Sequence, residues 1–518
     1  MSKVQGPKSP SDNDFGLGTR DLGLDAVVLI CGVVVMVYEI TGSRVLAPFI
    51  GTSTYIWTSL IGVILGALSL GYWLGGRMAD RVPKKSVLAT AILAAAGLIA
   101  LTILVKDPFL AAIAAFPVGL ELKAVISALI LFAPASVALG FVTPYAVKLR
   151  MESLGEAGRT VGRLYALSTI GSIVGTFAAG FLLLPFLGSN RTLYLITAAL
   201  FVTTLLLLPF KLHRKNVSVL LVLILAIAAN ELTSFAMYRS IGFEDIDTEY
   251  SRVRVFRTTD PTTDRPIEAM TFDPHSTQSA MFTEGDELVF EYTKFYHLIR
   301  VLRPDFQRSL MIGGAGYSFP KAYVAAYPNA SLDVVEIDPA LTEIARRRFR
   351  LTDDPRMRIF HEDGRVFLNR TDPATYDIVM MDAFGSLFSV PYQLTTVEAV
   401  TQIHRILNDD GVVVFNIGSA IRGDGSLFLQ AEFATYKEVF PSVHLFKVRP
   451  DRPDDQLQNL IVVACKRECF TAATTADPLI DSLLTRRHTA EFPITVPILT
   501  DDLAPVDRYM SIAQANSR

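Results

Sequence analysis

The chain has 518 residues and a formal net charge of −3, with 48 Lys and Arg against 51 Asp and Glu. Hydrophobic residues make up 51% and charged residues only 19%, which is too apolar for an ordinary soluble protein. The balanced charge gives no indication of a nucleic-acid partner. The apolar excess lies between about residues 22 and 236, so we predict at least two units.

The first unit is predicted to be a multi-pass α-helical membrane domain over 22–238, preceded by a polar tail at 1–21. A membrane-spanning helix needs about 20 apolar residues. About seven stretches qualify: 23–43, 55–76, 86–105, 122–145, 164–187, 190–210 and 216–236. The segment 108–119 is too short to span alone and is expected to be re-entrant or interfacial. Recurring Gly and Ala predict closely packed helices.

Two kinds of polar residue in the chain could mark special sites. Glu39 is a charge inside the first apolar stretch, which indicates a functional position, although a hydrated or paired glutamate near a helix end is the alternative. Arg44 follows at an imperfect helical spacing for pairing with it. Cys465 and Cys469 have the spacing C-x-x-x-C without a second pair, so we expect neither a zinc site nor disulfides that organise the fold.

The second unit, 239–518, reads as a globular domain. Residues 240–283 contain short strand-like runs with turn-rich gaps, and an amphipathic helix is predicted at 287–302. Strands and helices then alternate from RSLMIGG to GVVVFNI, a pattern typical of a doubly wound parallel sheet. Ligands of such sheets bind beyond the carboxyl ends of the strands.

Three strand ends in this unit predict a nucleoside site. A turn containing Gly313, Gly314 and Gly316 follows the first strand, where glycine permits close approach of the backbone to a ligand. Glu336 ends the next strand, where a carboxylate can accept hydrogen bonds from both ribose hydroxyls. Asp363 and Gly364 end the third strand, where a carboxylate can accept from an adenine amino group. Ordinary capping of the strand ends is the alternative.

The order of these motifs resembles that of spermidine synthases. It runs Gln278, Tyr292, IGGAG, VVEID, EDGRVF and YDIVMMDA. The apolar half and the tail LTDDLAPVDRYM resemble the membrane-fused bacterial branch of that family, over nearly the full length. The resemblance implies a methyltransferase-like, Rossmann-like domain with a small N-terminal β-hairpin region. It also implies that Glu336 holds the ribose, Asp363 the adenine side and Gln278 the nucleoside, with Asp382 and Tyr292 in the reaction centre.

Three departures from the family remove negative charge from the place where a diamine would bind. Gly316 stands where the family usually has an aspartate. The stretch Asp382-Ala383-Phe384-Gly385-Ser386 lacks the second aspartate of the family's strand end, and Tyr292 is followed by Thr293-Lys294 without the usual acid. An unpaired buried ammonium costs several kcal/mol, so diamine binding should be weakened.

We therefore interpret the substrate as S-adenosylmethionine itself. Gly316 would remove the repulsion of its carboxylate and leave room for it. That carboxylate could attack the γ-carbon of its own chain, giving 5′-methylthioadenosine and homoserine lactone, a lyase outcome. Asp382 would hold the α-ammonium while Tyr292 and Gln278 shape the pocket, so that catalysis rests on a near-attack conformation.

Other functions stay open. Aminopropyl transfer to a polyamine from decarboxylated S-adenosylmethionine would need substitute acids such as Asp286, Glu287 or Glu291. The shared fold also allows methyl transfer, and a transporter or sensor regulated by the nucleoside domain is the non-enzymatic alternative. We expect no metal and no cofactor beyond the nucleoside substrate, with membrane lipid as a partner and homo-oligomerisation open. The loop 384–396 is expected to fold over the pocket.

Two indications of the side of the membrane on which the second unit lies disagree. Basic residues concentrate at 77–85, 148–163 and 211–215, which the positive-inside bias assigns to the cytoplasm. With seven spans the catalytic domain would then emerge on the other side. Because its substrate is a cytosolic nucleoside, we nevertheless expect a bacterial inner-membrane protein whose catalytic domain faces the cytoplasm.

Overall fold

The computed structural model describes residues 19–51, 53–116, 118–151, 157–207, 214–272, 277–383, 390–470 and 477–516. Most of the polar tail at 1–21, Ser386, and residues 384–389 of the loop predicted to cover the pocket lie outside these ranges.

The N-terminal half is a bundle of apolar helices. The helices are α1 (Thr19–Ile50), α2 (Thr54–Arg81), α3 (Lys85–Ala115), α4 (Leu120–Leu131), α5 (Ala133–Gly140), α6 (Val142–Arg150), α7 (Ala157–Ala178), α8 (Leu184–Leu207) and α9 (Arg214–Ile241). A π-helical turn, Ala179–Leu183, joins α7 to α8. Glycines bring α1 and α7 together, since a Cβ at Gly171 would lie 2.2 Å from the backbone oxygen of Leu29. The segment 108–119 was predicted to be separate, but residues 108–115 continue α3.

The number of crossings depends on two bends. By length and composition, five helices in the described part of the chain could cross a membrane, or six if the bent pair Leu120–Leu131 and Ala133–Arg150 is one span. Seven were predicted, because 164–187 and 190–210 were counted apart and here form one apolar stretch, Ala157–Leu207. That stretch breaks at Gly188, whose φ of 76° and ψ of 173° are not helical. If the break separates two spans, the count is seven.

The soluble half meets the helices at one end of the bundle. Thr54, at the start of α2, donates to Asp507. Ser511 donates to Glu121 in α4, and Ser189, beside the break, donates to Asp247. A straight helix of 51 residues would be about 76 Å long, with Gly188 far from either end. The contact at Ser189 therefore places the break at the same end of the bundle as the soluble half. The basic residues 77–85 join the end of α2 to the start of α3 at the opposite end, and Arg150 pairs with Asp25 near the start of α1. Residues 152–156 and 211–213 of the other basic stretches lie outside the described residues.

Within the described residues, the soluble half contains two sheets. Strands β1 (Glu244–Asp247), β2 (Arg252–Thr259), β3 (Pro266–Thr271) and β4 (Ser279–Phe282) form an antiparallel sheet in sequential order, larger than the predicted hairpin. The second sheet has the order β12-β10-β11-β9-β8-β5-β6-β7. Its strands are β5 (Arg308–Ile312), β6 (Ser331–Val335), β7 (Met357–Phe360), β8 (Tyr376–Met381), β9 (Leu407–Ser419), β10 (Ser442–Lys447), β11 (Gln458–Cys465) and β12 (Arg487–His488).

The large sheet is mixed rather than wholly parallel. Strands β5 to β9 pair in parallel, whereas β10, β11 and β12 are antiparallel additions at one edge. Both faces are buried, because Ile378 and Met380 of β8 enter one core cluster and Val379 and Met381 enter the other. This burial is why the strands read as nearly continuous apolar runs.

Helices cover both faces of this sheet. They are α10 (Glu291–Lys294), α11 (Ile299–Leu302), α12 (Ser318–Ala326), α13 (Pro339–Arg348), α14 (Gly364–Arg370), α15 (Val397–Ile406), α16 (Leu427–Val439), α17 (Pro478–Leu484) and α18 (Val506–Asn516). The helix predicted at 287–302 begins only at Glu291 and is interrupted by a 3₁₀ turn, Phe295–Leu298. A disulfide joins Cys465 to Cys469. The bridge spans four residues and is local.

Candidate active site

A cleft of about 1290 Å³ opens at the carboxyl ends of the parallel strands. The small antiparallel sheet and α10 form one wall, and the turn after β5 and the end of β8 form the other. Strand β5 lies between β6 and β8, which follow it in the chain but extend the sheet in opposite directions. A parallel sheet binds ligands where its strand order reverses in this way.

The turn after β5 needs glycine for backbone reasons. Gly313 has φ +96°, and a Cβ there would lie 2.3 Å from the backbone oxygen of Asp382. A Cβ at Gly314 would lie 2.7 Å from the ring of Tyr317, which is itself buried in a left-handed conformation. The turn is therefore packed tightly between the end of β8 and the start of α12.

Gly316 does not leave the empty space that the sequence analysis assumed. A Cβ at this position would lie 2.4 Å from Oγ of Ser279 and 3.1 Å from the ring of Phe349. The expectation that Gly316 makes room for a substrate carboxylate is therefore wrong in this structure. Packing against β4 explains the missing side chain.

Glu336 is buried and already engaged. One carboxylate oxygen accepts from the backbone N–H groups of Gly314 and Ala315, at 2.8 and 2.9 Å, and the other accepts from Asp338 at 3.0 Å. Burial raises the pKa of Glu336, and these three hydrogen bonds oppose the rise. A carboxylate has about four acceptor positions, so about one is left for a ribose hydroxyl unless the glycine turn shifts.

Asp363 caps a helix, as the alternative interpretation expected. Its Oδ1 accepts from the backbone N–H groups of Arg365 and Val366 at the start of α14. A Cβ on Gly364 would lie 2.9 Å from the side chain of Ile312, so glycine allows α14 to approach β5. Asp363, Gly364 and Glu336 are not part of the cleft lining, whereas Gly313 and Gly314 are.

Gln278 and Tyr292 lie on the wall formed by the small sheet and α10. The amide oxygen of Gln278 accepts from the backbone of Phe272 at 3.2 Å, and both residues line the cleft. Tyr292 reaches across the cleft, and its hydroxyl donates to Oδ2 of Asp382 at 3.0 Å. The structure thus brings together the two residues predicted for the reaction centre.

Asp382 has neutral partners. Asn416 donates to its Oδ1 at 3.0 Å, and Asn459 in turn donates to Asn416 at 3.1 Å. Burial raises the pKa of Asp382 to about 6, although the bonds from Asn416 and Tyr292 lower it in part. The sequence analysis missed both asparagines. Phe415 is opposite Met381 in parallel register, so the neighbouring strand end GVVVFNI held the signal for Asn416.

The other acids of the cleft are mostly tied to basic side chains. Glu291 pairs with Lys294 and Arg486, at 2.7 and 3.1 Å. Glu287 pairs with Arg265, and Asp451 pairs with Arg449. Asp260 is held within its own turn by Thr263. Among the described residues lining the cleft, Asp382 is the acid best placed to meet a cation beside the glycine turn. Of the proposed substitute acids, Asp286 is fully exposed and is not part of the lining.

A metal site was not predicted. Within the described ranges, no group of three or more His, Cys, Asp or Glu side chains is arranged to hold a metal ion. The Tyr292–Asp382–Asn416 arrangement can instead hold an ammonium group and accept a proton from it.

Residues 290–446 match the family model of the spermine/spermidine synthase domain. The polyamine aminopropyltransferase of Vibrio vulnificus is 27% identical over 235 residues, which are 44% of this chain and 75% of that protein. The N-terminal histidine N-methyltransferase of Emericella nidulans is 30% identical over 166 residues, 31% of this chain and 28% of that protein. The soluble half therefore contains a spermidine synthase domain with polyamine aminopropyltransferases among its homologues.

Solved structures with limited similarity to this chain were also found. The crystal structure of a probable spermidine synthase from Corynebacterium glutamicum covers 45% of this chain and 83% of its own, with 23% identity and a TM-score of 0.38. Apart from the Vibrio enzyme, the first curated relatives are matched over less than two thirds of their length; the polyamine aminopropyltransferase of Streptococcus uberis is matched over 59%. The family match lies within the soluble half.

Proposed function

We propose that the soluble domain is an aminopropyltransferase that uses decarboxylated S-adenosylmethionine and an amine acceptor. The observation that carries the proposal is the Tyr292–Asp382–Asn416 group beside the glycine turn, in a segment that matches the spermidine synthase domain. This choice differs from our sequence-based preference for a lyase, because polyamine aminopropyltransferases are among the homologues and Ser279 fills the space beside Gly316.

In the proposed reaction, the acceptor amine attacks the methylene carbon bound to the sulfonium. A carbon–nitrogen bond forms, the carbon–sulfur bond breaks, and 5′-methylthioadenosine leaves with the electron pair. The acceptor must lose one proton, which Asp382 accepts and passes to solvent. With a pKa of about 6, this carboxyl is mostly ionised at neutral pH and is a stronger base than an exposed aspartate. Tyr292 and Asn416 fix its orientation.

The nucleoside is proposed to lie along the ends of β5, β6 and β7. Gly313 and Gly314 would approach it closely, Glu336 would take a ribose hydroxyl, and Asp363 would accept from the adenine amino group through the oxygen that does not cap α14. Gln278 would contact the nucleoside from the opposite wall. The proposed reaction uses no cofactor beyond the nucleoside substrate.

A second function is favoured by the ion pairs of the cleft. A diamine needs an acid for its distant ammonium, yet Glu287, Glu291 and Asp451 are each paired with a basic side chain. Intramolecular cleavage of S-adenosylmethionine needs no such acid. Its own carboxylate would attack the γ-carbon, release 5′-methylthioadenosine and form homoserine lactone, while Asp382 holds the α-ammonium.

The test is to incubate the purified full-length protein with S-adenosylmethionine or its decarboxylated form, each with and without putrescine, and to identify products by mass spectrometry. We expect methylthioadenosine and spermidine only from the decarboxylated form with the amine. Methylthioadenosine and homoserine lactone from S-adenosylmethionine alone would replace this proposal by the lyase. Nucleoside binding without any product would favour a transporter or sensor. Asp382→Asn, which keeps the side-chain shape, is the matched control.

We further propose that α1 to α9 are embedded in a bacterial inner membrane. Large apolar side chains are exposed along these helices, including Trp73, Phe181 and Phe186, and an aqueous surface rarely carries so much contiguous apolar area. Membrane lipid is then the partner of this half. When cells are fractionated, the protein should be recovered with the membranes and should resist carbonate extraction. Recovery in the soluble fraction would contradict the membrane placement.

A further inference from the structure

A short segment between β1 and β2 connects the helical half to the candidate nucleoside site. This segment, residues 247–251, is called the strap below. Arg44 near the end of α1 donates from its guanidinium to the backbone oxygen of Glu249. Ser189 at the start of α8 donates to Asp247 from its backbone and its hydroxyl, at 2.8 and 2.7 Å. The strap is therefore anchored to two helices of the bundle.

The other side of the strap holds the acidic loop after β6. The buried hydroxyl of Thr248 donates to Oδ2 of Asp338, which is only 1% exposed. The other oxygen of Asp338 caps α13 through Ala340 at 3.0 Å. The backbone N–H of Asp338 donates to the carboxylate of Glu336, also at 3.0 Å. The strap thus contacts Asp338, and Asp338 in turn helps to orient the carboxylate of Glu336.

Electrostatics agree with this placement. Burial raises the pKa of Asp338, and the Arg44 guanidinium opposes the rise. The pKa of Tyr250, in the middle of the strap, is raised by burial and then by the carboxylates of Glu249, Asp338 and Asp363. The strap therefore lies near Asp338, whose backbone binds Glu336, and near Asp363.

Arg44 had been considered as a partner for Glu39 within the apolar stretch. The hydrogen bond from Arg44 to Glu249 instead directs its side chain toward the soluble half. We propose that Arg44 is a positioning residue of the nucleoside site, acting through Thr248 and Asp338 on Glu336, so that the helical half completes the site. This inference rests on the proposed nucleoside binding.

The physical consequence is a change in affinity. Without Arg44 the strap loses a charge-assisted hydrogen bond, and the loop carrying Glu336 gains freedom that the ligand must remove on binding. We expect the Kd for an adenosyl ligand to rise about tenfold, which corresponds to about 1.4 kcal/mol. The turnover number should change less than the KM for the nucleoside, because Asp382 and Tyr292 are not touched.

The experiment uses the full-length protein in lipid nanodiscs, with 5′-methylthioadenosine and S-adenosylmethionine as calorimetric probes. We expect Arg44→Met and Thr248→Val each to weaken binding about tenfold, and the double variant to weaken it little further, since both break one chain of contacts. Arg44→Lys should restore part of the affinity. The matched control is Asp507→Ala, which removes another contact between the two halves, to Thr54, away from the site.

Wild-type affinity in Arg44→Met, or an equal loss in Asp507→Ala, would overturn the inference. The first outcome would mean that the strap does not position the site, and the second that any loosening of the two halves weakens binding. Full additivity of Arg44→Met and Thr248→Val would also contradict it. If the wild-type protein binds neither probe, the proposed function itself fails, which is a different result from equal binding by wild type and variants.

Discussion

Replacing Asp382 by Asn is expected to remove activity and, at the same time, to make the soluble domain more stable. The side chain lies between Tyr292 and Asn416, and burial raises its pKa from 3.8 to about 6. Keeping the carboxylate ionised at neutral pH therefore costs the folded state about 3 kcal/mol. An asparagine has the same shape, and its amide can accept from Asn416 and donate to the oxygen of Tyr292.

The pH dependence follows from the sign of the shift. Because the pKa of Asp382 is higher in the folded state, the folded protein holds this proton more tightly than the unfolded chain. The wild type loses the corresponding stability as the pH rises from about 4 to about 6, and loses no more above that. The advantage of the Asn variant should be absent below about pH 4 and complete at about pH 7, where it would raise Tm by about 6–12 °C.

The assay must report on the soluble domain. Both tryptophans, Trp57 and Trp73, lie in α2, so their fluorescence follows the helical half. Hydrogen–deuterium exchange of the peptides covering β8 and β9, measured at several temperatures and pH values, follows the domain directly. Activity should fall by about 10²–10⁴-fold in the same variant.

Asp377→Asn, in the strand β8 that leads to Asp382, is the matched control. Burial alone would raise the pKa of Asp377, but hydrogen bonds from the backbones of Gln307 and Arg308 and from Asn408 lower it overall. Its replacement should therefore destabilise the domain at neutral pH. If Asp382→Asn is no more stable than the wild type at pH 7, or keeps activity within tenfold, the reasoning about this carboxylate is refuted.

The rate of the proposed reaction should fall about tenfold per pH unit below about pH 6, because protonated Asp382 cannot accept a proton. A kcat/KM profile that is flat from about pH 5 to 8 would exclude Asp382 as the base. Gly316→Ala should destabilise the domain by about 1–3 kcal/mol, since its Cβ would contact Ser279. Adding Ser279→Gly should restore the lost stability, as measured by hydrogen–deuterium exchange or thermal unfolding. An unchanged stability in Gly316→Ala would mean that there is room for a side chain at this position. The basic residues 77–85 lie at the helix ends away from the soluble domain, so the positive-inside bias predicts a domain facing away from the cytoplasm, the reverse of the placement that we derived from the substrate. A cysteine at exposed Asp409 should then react with an impermeant maleimide on intact cells, and protection until permeabilisation would restore the cytoplasmic placement.

Several elements of the soluble domain could be predicted because their signals are local. The strand Pro266–Thr271 lies within the strand-like runs predicted at 240–283, and the helices Ser318–Ala326 and Pro339–Arg348 lie within the predicted strand–helix alternation. The parallel pairing of β5, β6 and β7 follows from the strand–helix alternation, since short crossovers leave few other topologies. The antiparallel edge and β1 were missed, because short strands at sheet edges carry little periodic signal.

The apolar half shows a different limit. Hydropathy found the apolar stretches, but a single residue, Gly188, decides whether Ala157–Leu207 is one crossing or two. The neighbouring Ser189 donates to Asp247 of the soluble half. No local pattern encodes a contact between residues so far apart in the chain.

The sequence by itself determined the two-part organisation, the apolar stretches, the glycine turn and the acids at the ends of consecutive parallel strands, because each rests on composition or on spacing within one element. Only the tertiary structure decided which groups meet. It placed Asn416 on Asp382, filled the space beside Gly316 with Ser279, paired the acids of the cleft with basic side chains, and turned Arg44 away from Glu39 toward the strap. These contacts join residues distant in the chain, and burial and charge at such contacts arise only when the strands and helices pack together.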